Sequence, residues 1–406
     1  MKKWDLVLLG VTGFTGRLCA EYLAEKYGAS ETLKWAVAAR NPDKARQILA
    51  AIGRPDIHVI TADSMDPASL RAMAAQCRVI CTTVGPYSRY GTPLVEACIA
   101  EKTHYCDLTG EVGWMRETID RFNEPAIQAG VKIVHTCGFD SIPSDLGVYF
   151  FQKNAREKTG SYATAISLRV AGAKGGFSGG TWASMSAQIA RAQHDRDFSR
   201  LLSNPYALNP DPAYRGPDGP DLRAVRYDPL IGRWITPFIM AGINTRVVRR
   251  SVALQQFPYG EGFTYDEAMS AGRGLRGRLA AWTILLMLGA AASARPGTLA
   301  KRLLDRLAPK PGEGPSRKTI GSGYFRMRLI GQMSSGQRFE ARVSGVRDPG
   351  YGATSRMLVE SGVCLALDAA RLPDRYGVLT PATAMGAALV KRLETNAGIK
   401  FEWIGE

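Results

Sequence analysis

The first 145 residues alternate short apolar segments with segments of helical pattern, and this alternation limits the possible folds more than any other feature. The apolar segments lie at 4–9, 35–39, 58–62, 79–84, 103–108 and 131–137. The helical patterns that follow the second and later segments lie at 42–51, 67–75, 92–101 and 113–129. Strands that are buried on both faces read as nearly continuous apolar runs, so the pattern predicts an α/β fold with a doubly wound parallel sheet.

The pattern changes after about residue 145, where we predict a second, α+β domain. A helix over 145–157 and a strand over 164–172 are followed by two alternating segments, 324–331 and 337–346, that predict an antiparallel pair. Helical patterns at 355–370 and 382–397 close the chain. We therefore predict a dinucleotide-binding domain over 1–145 and a basic substrate or dimer domain over 146–406. Whether the C-terminal helices pack back on the first domain is left open.

A glycine-rich turn joins the first predicted strand to the first helix. Gly10 permits a tight turn, Gly13 permits close approach of a pyrophosphate, and Gly16 permits close packing of helix on strand. The helix N-terminus adds free N–H groups and the positive end of its dipole. The turn predicts a Rossmann-type dinucleotide site, and its candidate contacts are Gly10, Thr12, Gly13, Phe14, Thr15 and Gly16.

The end of the second strand indicates which dinucleotide is bound. NAD sites usually carry an acidic residue here for the ribose hydroxyl, whereas this chain has Arg40, Asn41 and Lys44. We predict NADP(H) in preference to NAD(H), with Arg40 on the 2′-phosphate. After the third strand, Asp63 either contacts the adenine or caps a turn. The nicotinamide half is expected along Val84, Gly85 and Pro86, which follow the fourth strand.

The net charge of +15 lies entirely in the second part of the chain: residues 1–145 carry 16 basic and 17 acidic side chains, and residues 146–406 carry 36 and 20. This asymmetry predicts an anionic partner. The basic residues are dispersed rather than interleaved with aromatic ones, so we predict that the protein does not bind nucleic acid.

The chain has seven cysteines, an odd number, and most of them lie in apolar runs. This predicts reduced thiols in the core and a cytoplasmic protein.

Residues 279–294 form a strongly apolar segment that is shorter than the roughly 20 residues needed to span a bilayer. The surrounding stretch, 273–310, carries eight Lys or Arg residues and one acid. The segment is therefore a peripheral membrane contact, a core helix or the interface of a homodimer, and the sequence leaves these alternatives open.

A second glycine-rich loop, 175–181, is either an anion site or a plain connection.

Several longer motifs resemble one known family: GVTGFTG, AARN, TTVGPYSRYG, HYCDLTGE and HTCGFDSIPSDLG. They are similar to saccharopine dehydrogenase-like oxidoreductases. GGFSGGT, INTRVVRRS, DPGYGAT and LTPATAMG extend the resemblance to the branch that contains the bacterial trans-acting enoyl reductases. The resemblance implies a Rossmann domain, a second α/β domain and an NADP-dependent reduction of an acyl or lipid-like enoyl substrate. Amino-acid dehydrogenation at a C–N bond and a non-catalytic cofactor-binding scaffold remain as alternatives.

Enoyl reduction requires a hydride at Cβ and a proton at Cα. The loops after the parallel strands would supply the proton donor, and our candidates are Tyr87 and Asp140. Tyr87 is alternatively a packed aromatic, and Asp140 is alternatively a helix cap. His104 and Cys106, with His135 and Cys137, would allow a zinc site, but the covered strands favour core packing. We therefore predict no metal.

Overall fold

A computed structural model describes residues 2–28, 32–175, 188, 190–293 and 314–406. The chain divides into two compact units. The first contains Met1–Ile142, Gly312–Gly314 and Gly350–Gly398, and the second contains Pro143–Pro311, Pro315–Pro349 and Ile399–Glu406. The predicted α/β fold with a Rossmann-type parallel sheet and a second α+β domain is confirmed.

Two seven-stranded sheets organise the described chain. The strands are β1 Trp4–Leu9, β2 Trp35–Ala39, β3 Val59–Thr61, β4 Cys77–Thr82, β5 His104–Cys106, β6 Lys132–Val134, β7 Ala163–Lys174, β8 Arg226–Asp228, β9 Arg233–Thr236, β10 Thr264–Gly272, β11 Tyr324–Met333, β12 Arg338–Gly345, β13 Gly377–Leu379 and β14 Ile399–Gly405. The first sheet is entirely parallel in the order β13-β6-β5-β4-β1-β2-β3. Its strand order reverses between β1 and β4, where open α/β sheets bind their ligands.

The helices are α1 Phe14–Tyr27, α2 Pro42–Ala51, α3 Pro67–Ala74, α4 Tyr87–Ala100, α5 Val112–Ala129, α6 Ile142–Thr159, α7 Arg196–Ser203, α8 Ala241–Leu254, α9 Gly274–Ser293, α10 Arg317–Ser322, α11 Thr354–Leu367, α12 Pro381–Ala384 and α13 Gly386–Arg392. Local sequence explains several of these boundaries. Asn41 and Asp66 cap α2 and α3, and each is followed by a proline at the first helical position. Helix α1 buries Gly16, Cys19, Ala20 and Leu23, a helical spacing that matches one face on the sheet.

The two largest departures from the predicted helix bounds have causes that lie in the folded chain. Helix α4 begins at Tyr87, five residues before the predicted start, because the Glu111 carboxylate accepts the first amides of the helix. The predicted single helix over 382–397 is interrupted after α12. Gly386 there has a φ of 47°, in the left-handed region that a continuous helix does not use.

The second sheet is mixed and runs in the order β14-β12-β11-β7-β10-β9-β8. Strands β7 and β10 pair in parallel, and the other pairings are antiparallel. The pairing of β11 with β12 matches the antiparallel pair expected from alternation in the sequence.

Part of the basic excess in the second unit is internal. Helix α8 is buried along most of its length, including Arg246, Arg249 and Arg250. Arg249 Nε donates to Asp218 at 2.7 Å, and Arg246 pairs with Asp221. Buried guanidinium groups require such partners, because an unpaired buried charge is strongly unfavourable.

No described helix is both long and apolar enough to cross a membrane. Within the described ranges, no group of three or more His, Cys, Asp or Glu residues is arranged to hold a metal ion. All seven cysteines are buried and free. The second glycine-rich loop lies outside the described residues except for Gly175, as do most of residues 182–189 and residue 294.

Candidate active site

The glycine-rich turn packs tightly between β1, α1 and the end of β4. Gly10 has a φ of 101°, which favours glycine. A Cβ placed on Gly16 would lie 2.0 Å from the Gly10 carbonyl oxygen. A Cβ on Gly10 would lie 2.7 Å from Thr83 Oγ1 and 2.8 Å from Val84 Cγ2. Gly10 and Gly16 therefore have no room for a side chain.

The middle of the same turn is open. A Cβ on Gly13 would meet only the Gly10 carbonyl oxygen, at 3.4 Å. No side chain caps α1, and its first turn contains no acidic residue. Thr12, Phe14 and Thr15 are half-buried around this opening. The start of α1 therefore offers amide groups and a positive dipole end to an anion.

Residues after β4 lie beside this turn. Leu9 is in register with Thr82, and the Thr83 amide donates to the Leu9 carbonyl at 3.1 Å. The chain continues through Val84, Gly85 and Pro86, which are half-buried or exposed. The structure thus brings the predicted nicotinamide-side residues next to the predicted phosphate turn.

The residues after β2 and β3 have different roles. Arg40 is exposed and makes no hydrogen bond or ion pair to any residue that the structure describes. Asn41 Oδ1 accepts from the Lys44 amide at 3.0 Å as the cap of α2, and the Lys44 side chain is exposed. Asp63 Oδ1 accepts from the Met65 amide at 3.0 Å, so Asp63 caps a turn. Of this set, Arg40 is the cation whose fork is open to a ligand.

A buried carboxylate links β5 to β6 at the same edge of the sheet. Asp107 is fully buried and accepts from the Tyr105 hydroxyl at 2.8 Å. The same oxygen, Asp107 Oδ2, lies 2.8 Å from His135 Nδ1. Asp107 Oδ1 accepts the amides of Thr109 and Thr136 at 3.0 and 3.1 Å. The hydroxyl of Tyr105 and the two amides donate to this carboxyl group, and His135 Nδ1 is its fourth polar partner.

The hydrogen bonds of Asp107 also fix the backbone conformation of Thr136. Thr136 has a φ of 60°, a left-handed conformation that a β-branched residue rarely adopts. Its amide is held by Asp107, and the next amide, of Cys137, donates to the Asp107 carbonyl at 2.8 Å. The side chain and backbone of Asp107 together maintain the strained turn that leads to residue 140. Sequence reasoning did not find the partnership of Asp107 with His135.

Tyr87 lies inside the fold rather than at an open surface. Its hydroxyl donates to the Thr82 carbonyl at 3.2 Å and lies 3.2 Å from the Leu108 amide, which donates to it. Its ring stacks on Trp114 with centroids 5.7 Å apart. Burial raises the pKa of Tyr87 above its usual value, and the charge of Asp107 adds to this. These contacts favour the packed aromatic over the proton donor.

Asp140 is half-buried in the loop between β6 and α6. It makes no hydrogen bond to any residue in the described part of the chain, and the Ile142 amide at the helix start donates to the Gly138 carbonyl. The contacts therefore do not support Asp140 as the cap of α6. Burial raises the pKa of Asp140 to about 6.

Comparison with known proteins agrees with this site. Residues 6–134 match a family model described as the saccharopine dehydrogenase NADP binding domain. A protein of Mycobacterium tuberculosis that is named as a trans-acting enoyl reductase is 44% identical over 99% of this chain and 97% of its own length. The trans-acting enoyl reductase of Mycobacterium leprae is 38% identical over 98% of this chain and 97% of its own length. The chain belongs to the trans-acting enoyl reductase family.

Membership in this family makes the chain an NADP-binding oxidoreductase, as the sequence predicted. A solved saccharopine dehydrogenase from Saccharomyces cerevisiae is similar in fold, with a TM-score of 0.53 and 13% identity over 99% of both chains. The residues that match the family model run from within β1 to the end of β6 of the described parallel sheet. The open turn and Arg40 fit the charge and shape of NADP's pyrophosphate and 2′-phosphate.

Proposed function

We propose that this enzyme reduces the carbon–carbon double bond of an α,β-unsaturated acyl or lipid-like substrate with NADPH. The observation that carries the proposal is the open, uncapped start of α1 beside Gly13, in a chain similar over its full length to enoyl reductases. The bound cofactor would supply the hydride for the substrate β-carbon. The chain's own residues would hold the cofactor and deliver the proton.

In this proposal the cofactor is held at three places. The turn from Gly10 to Gly16, with Thr12, Phe14 and Thr15, receives the pyrophosphate. Arg40 binds the 2′-phosphate, supported by Asn41 and Lys44. Val84, Gly85 and Pro86 border the nicotinamide. Support comes from the exposure of Arg40 and from the parallel register of β1 and β4, which brings these loops to one sheet edge.

Asp140 is our proposed proton donor for the substrate α-carbon. It follows β6, so it belongs to the same carboxyl edge of the parallel sheet as the residues after β4. Its carboxyl group has no competing hydrogen bond among the described residues, and its pKa of about 6 keeps more of it protonated near neutral pH than an exposed aspartate would be.

The function is tested by measuring NADPH oxidation with a panel of enoyl thioesters and, separately, with amino acids paired with oxo acids. We expect turnover with enoyl substrates of long or branched chain and none with the second panel. Activity on an amino-acid pair, with no enoyl substrate turned over, would contradict the proposal and favour C–N chemistry. Cofactor binding without any turnover would favour a scaffold.

Asp140 is tested separately from the reaction class. Asp140→Asn should lower kcat about 100-fold with the KM for NADPH unchanged, because the lost group acts on the substrate and not on the cofactor. Wild-type kcat should fall as the pH rises through about 6, and the variant should lack this limb. Asp374→Asn, at an exposed acid, is the matched control. A pH profile shared by wild type and Asp140→Asn would remove Asp140 from this role.

The place of action is also part of the proposal. A lipid-like substrate implies lipid metabolism, and an enzyme that meets such a substrate benefits from peripheral contact with a membrane. The apolar segment 279–294 with its basic surroundings supports such contact. Self-association into a homodimer through the same segment is the competing arrangement.

A further inference from the structure

One face of helix α9 packs against the second sheet. It packs on β9 and β10 of the second unit. Ala281 is fully buried, and a Cβ placed on Gly277 would lie 2.3 Å from the Gly272 carbonyl carbon. The guanidinium of Arg278 lies over the Trp234 ring, 5.4 Å from its centroid. The small residues Gly277 and Ala281 allow the helix to approach the sheet closely. These contacts fix which side of the helix faces the sheet.

The opposite side of α9 is exposed and apolar. Leu275, Leu279, Trp282 and Leu286 follow one another at helical spacings of four, three and four residues and are 71%, 60%, 47% and 68% exposed. These four side chains define the α9 outer face. A helix on a protein surface normally turns charged or polar residues outward, and an apolar stripe of this size marks a contact site.

The charged side chains of α9, and of Arg273 directly before it, are all basic. Arg273 and Arg276 are exposed at the start of the helix, and α9 itself contains no acidic residue. The sequence from 273 to 310 carries eight Lys or Arg residues and one acid. A second copy of the chain would therefore bring no acidic group from α9 to meet these arginines. An anionic lipid surface would provide both the apolar layer and the opposite charge.

We propose that the α9 outer face inserts into the interface of an anionic lipid bilayer, with α9 lying flat on it and Arg273 and Arg276 on the headgroups. Trp282 sits in the middle of the apolar stripe, where its ring would enter the acyl boundary. The helix lies on the membrane rather than across it, in agreement with the absence of a spanning helix in the described ranges. The proposal depends on the surface alone, so its failure would leave the reductase activity untouched.

Flotation of the full-length protein with vesicles tests the proposal. Wild type should float with vesicles of phosphatidylcholine and phosphatidylglycerol, and much less with phosphatidylcholine alone or at high salt. A triple variant, Leu279→Gln, Trp282→Gln and Leu286→Gln, should reduce the bound fraction at least about tenfold. Wild type that never floats with anionic vesicles, or a triple variant that floats as wild type does, would overturn the proposal.

A matched variant controls for the general loss of surface hydrophobicity. Met65→Gln, Val346→Gln and Ile404→Gln replace side chains that are 60%, 68% and 44% exposed and lie outside α9. This control should float as wild type does. Equal loss of flotation in the control and the α9 variant would show that no particular face is used, which would also overturn the proposal.

Two further readouts separate the outcomes. Trp282→Phe keeps the face apolar, so it should still float, but it should remove most of the tryptophan quenching caused by brominated lipids; unchanged quenching would place Trp282 outside the bilayer and contradict the proposal. Light scattering reports the oligomeric state. A wild-type dimer that the triple variant converts to a monomer, without vesicle binding by either, would assign the face to a second copy instead. NADPH binding by every variant verifies that it is folded.

Discussion

Alanine at the third glycine of the phosphate turn should damage both folding and cofactor binding. In Gly16→Ala the new Cβ would lie 2.0 Å from the Gly10 carbonyl oxygen and 2.9 Å from Thr83 Oγ1. Close carbon–oxygen contacts are ordinarily about 3.3 Å, so helix and turn must separate by about 1 Å. Overpacking of this kind costs about 1–3 kcal/mol in the free energy of unfolding. Because the displaced turn also carries the phosphate site, NADPH affinity should fall at least about tenfold.

Alanine at the middle glycine should separate these two effects. Gly13 has a φ of −82°, which alanine adopts freely, and its Cβ would make only one ordinary contact, at 3.4 Å. Gly13→Ala should change the unfolding free energy by less than about 1 kcal/mol, because the unfolded chain loses freedom while alanine is a poorer N-cap residue than glycine, and the two effects oppose each other. The methyl group would project into the opening at the start of α1, so NADPH affinity should still fall at least about tenfold.

Urea unfolding and calorimetric titration with NADPH measure the two quantities on both variants. The expected result is stability and affinity both reduced in Gly16→Ala, and affinity alone reduced in Gly13→Ala. Wild-type affinity in Gly13→Ala would refute the position of the pyrophosphate at this turn. Unchanged stability in Gly16→Ala would refute the close contact between α1 and the turn.

Three other substitutions test separate parts of the structure. Arg40→Glu should weaken NADPH binding at least about tenfold in calorimetry and leave NADH binding within about threefold; equal losses would remove Arg40 from the 2′-phosphate. Asp107→Asn replaces one carboxylate oxygen by an NH2 donor, which then faces either the Thr109 and Thr136 amides or the Tyr105 hydroxyl and His135. Urea unfolding should therefore show a loss of about 2–4 kcal/mol, and a loss below about 1 kcal/mol would contradict the network. Burial raises the pKa of Glu267 from 4.5 to about 7, so the stability of the wild type should decline as the pH rises from 4.5 through about 7. Glu267→Gln should flatten this decline, and a variant with the wild-type slope would show that another group titrates.

Local sequence signals predicted the first sheet well. The observed bounds of β1, β2 and α2 coincide with the predicted segments, since each combines an unbroken apolar or amphipathic run with a glycine or an Asx-proline boundary. The helix at Tyr87 was predicted five residues too late. Its true start depends on the Glu111 carboxylate, which lies 24 residues away along the chain.

Several features of the site depend on contacts between distant segments. The sequence places Tyr105, Asp107 and His135 on neighbouring strands, but their joining through one carboxylate follows from strand order and side-chain direction. The sequence leaves Tyr87 open as a proton donor or a packed aromatic, and its contacts with Trp114 and Leu108 favour the packed aromatic. No pattern in the sequence marks the left-handed backbone of Thr136, because a β-branched residue has no local preference for it.

The amino-acid sequence alone determined the alternating α/β layers, the glycine turn and the preference for a 2′-phosphate, because each depends on residues that are close together in the chain. The tertiary structure decided which of those residues are exposed. It buried Tyr87, left Arg40 without a partner among the described residues, placed Gly350–Gly398 in the first unit and turned the apolar stripe of α9 outward. Exposure and pairing arise from segments that are far apart in sequence, so no local pattern can specify them.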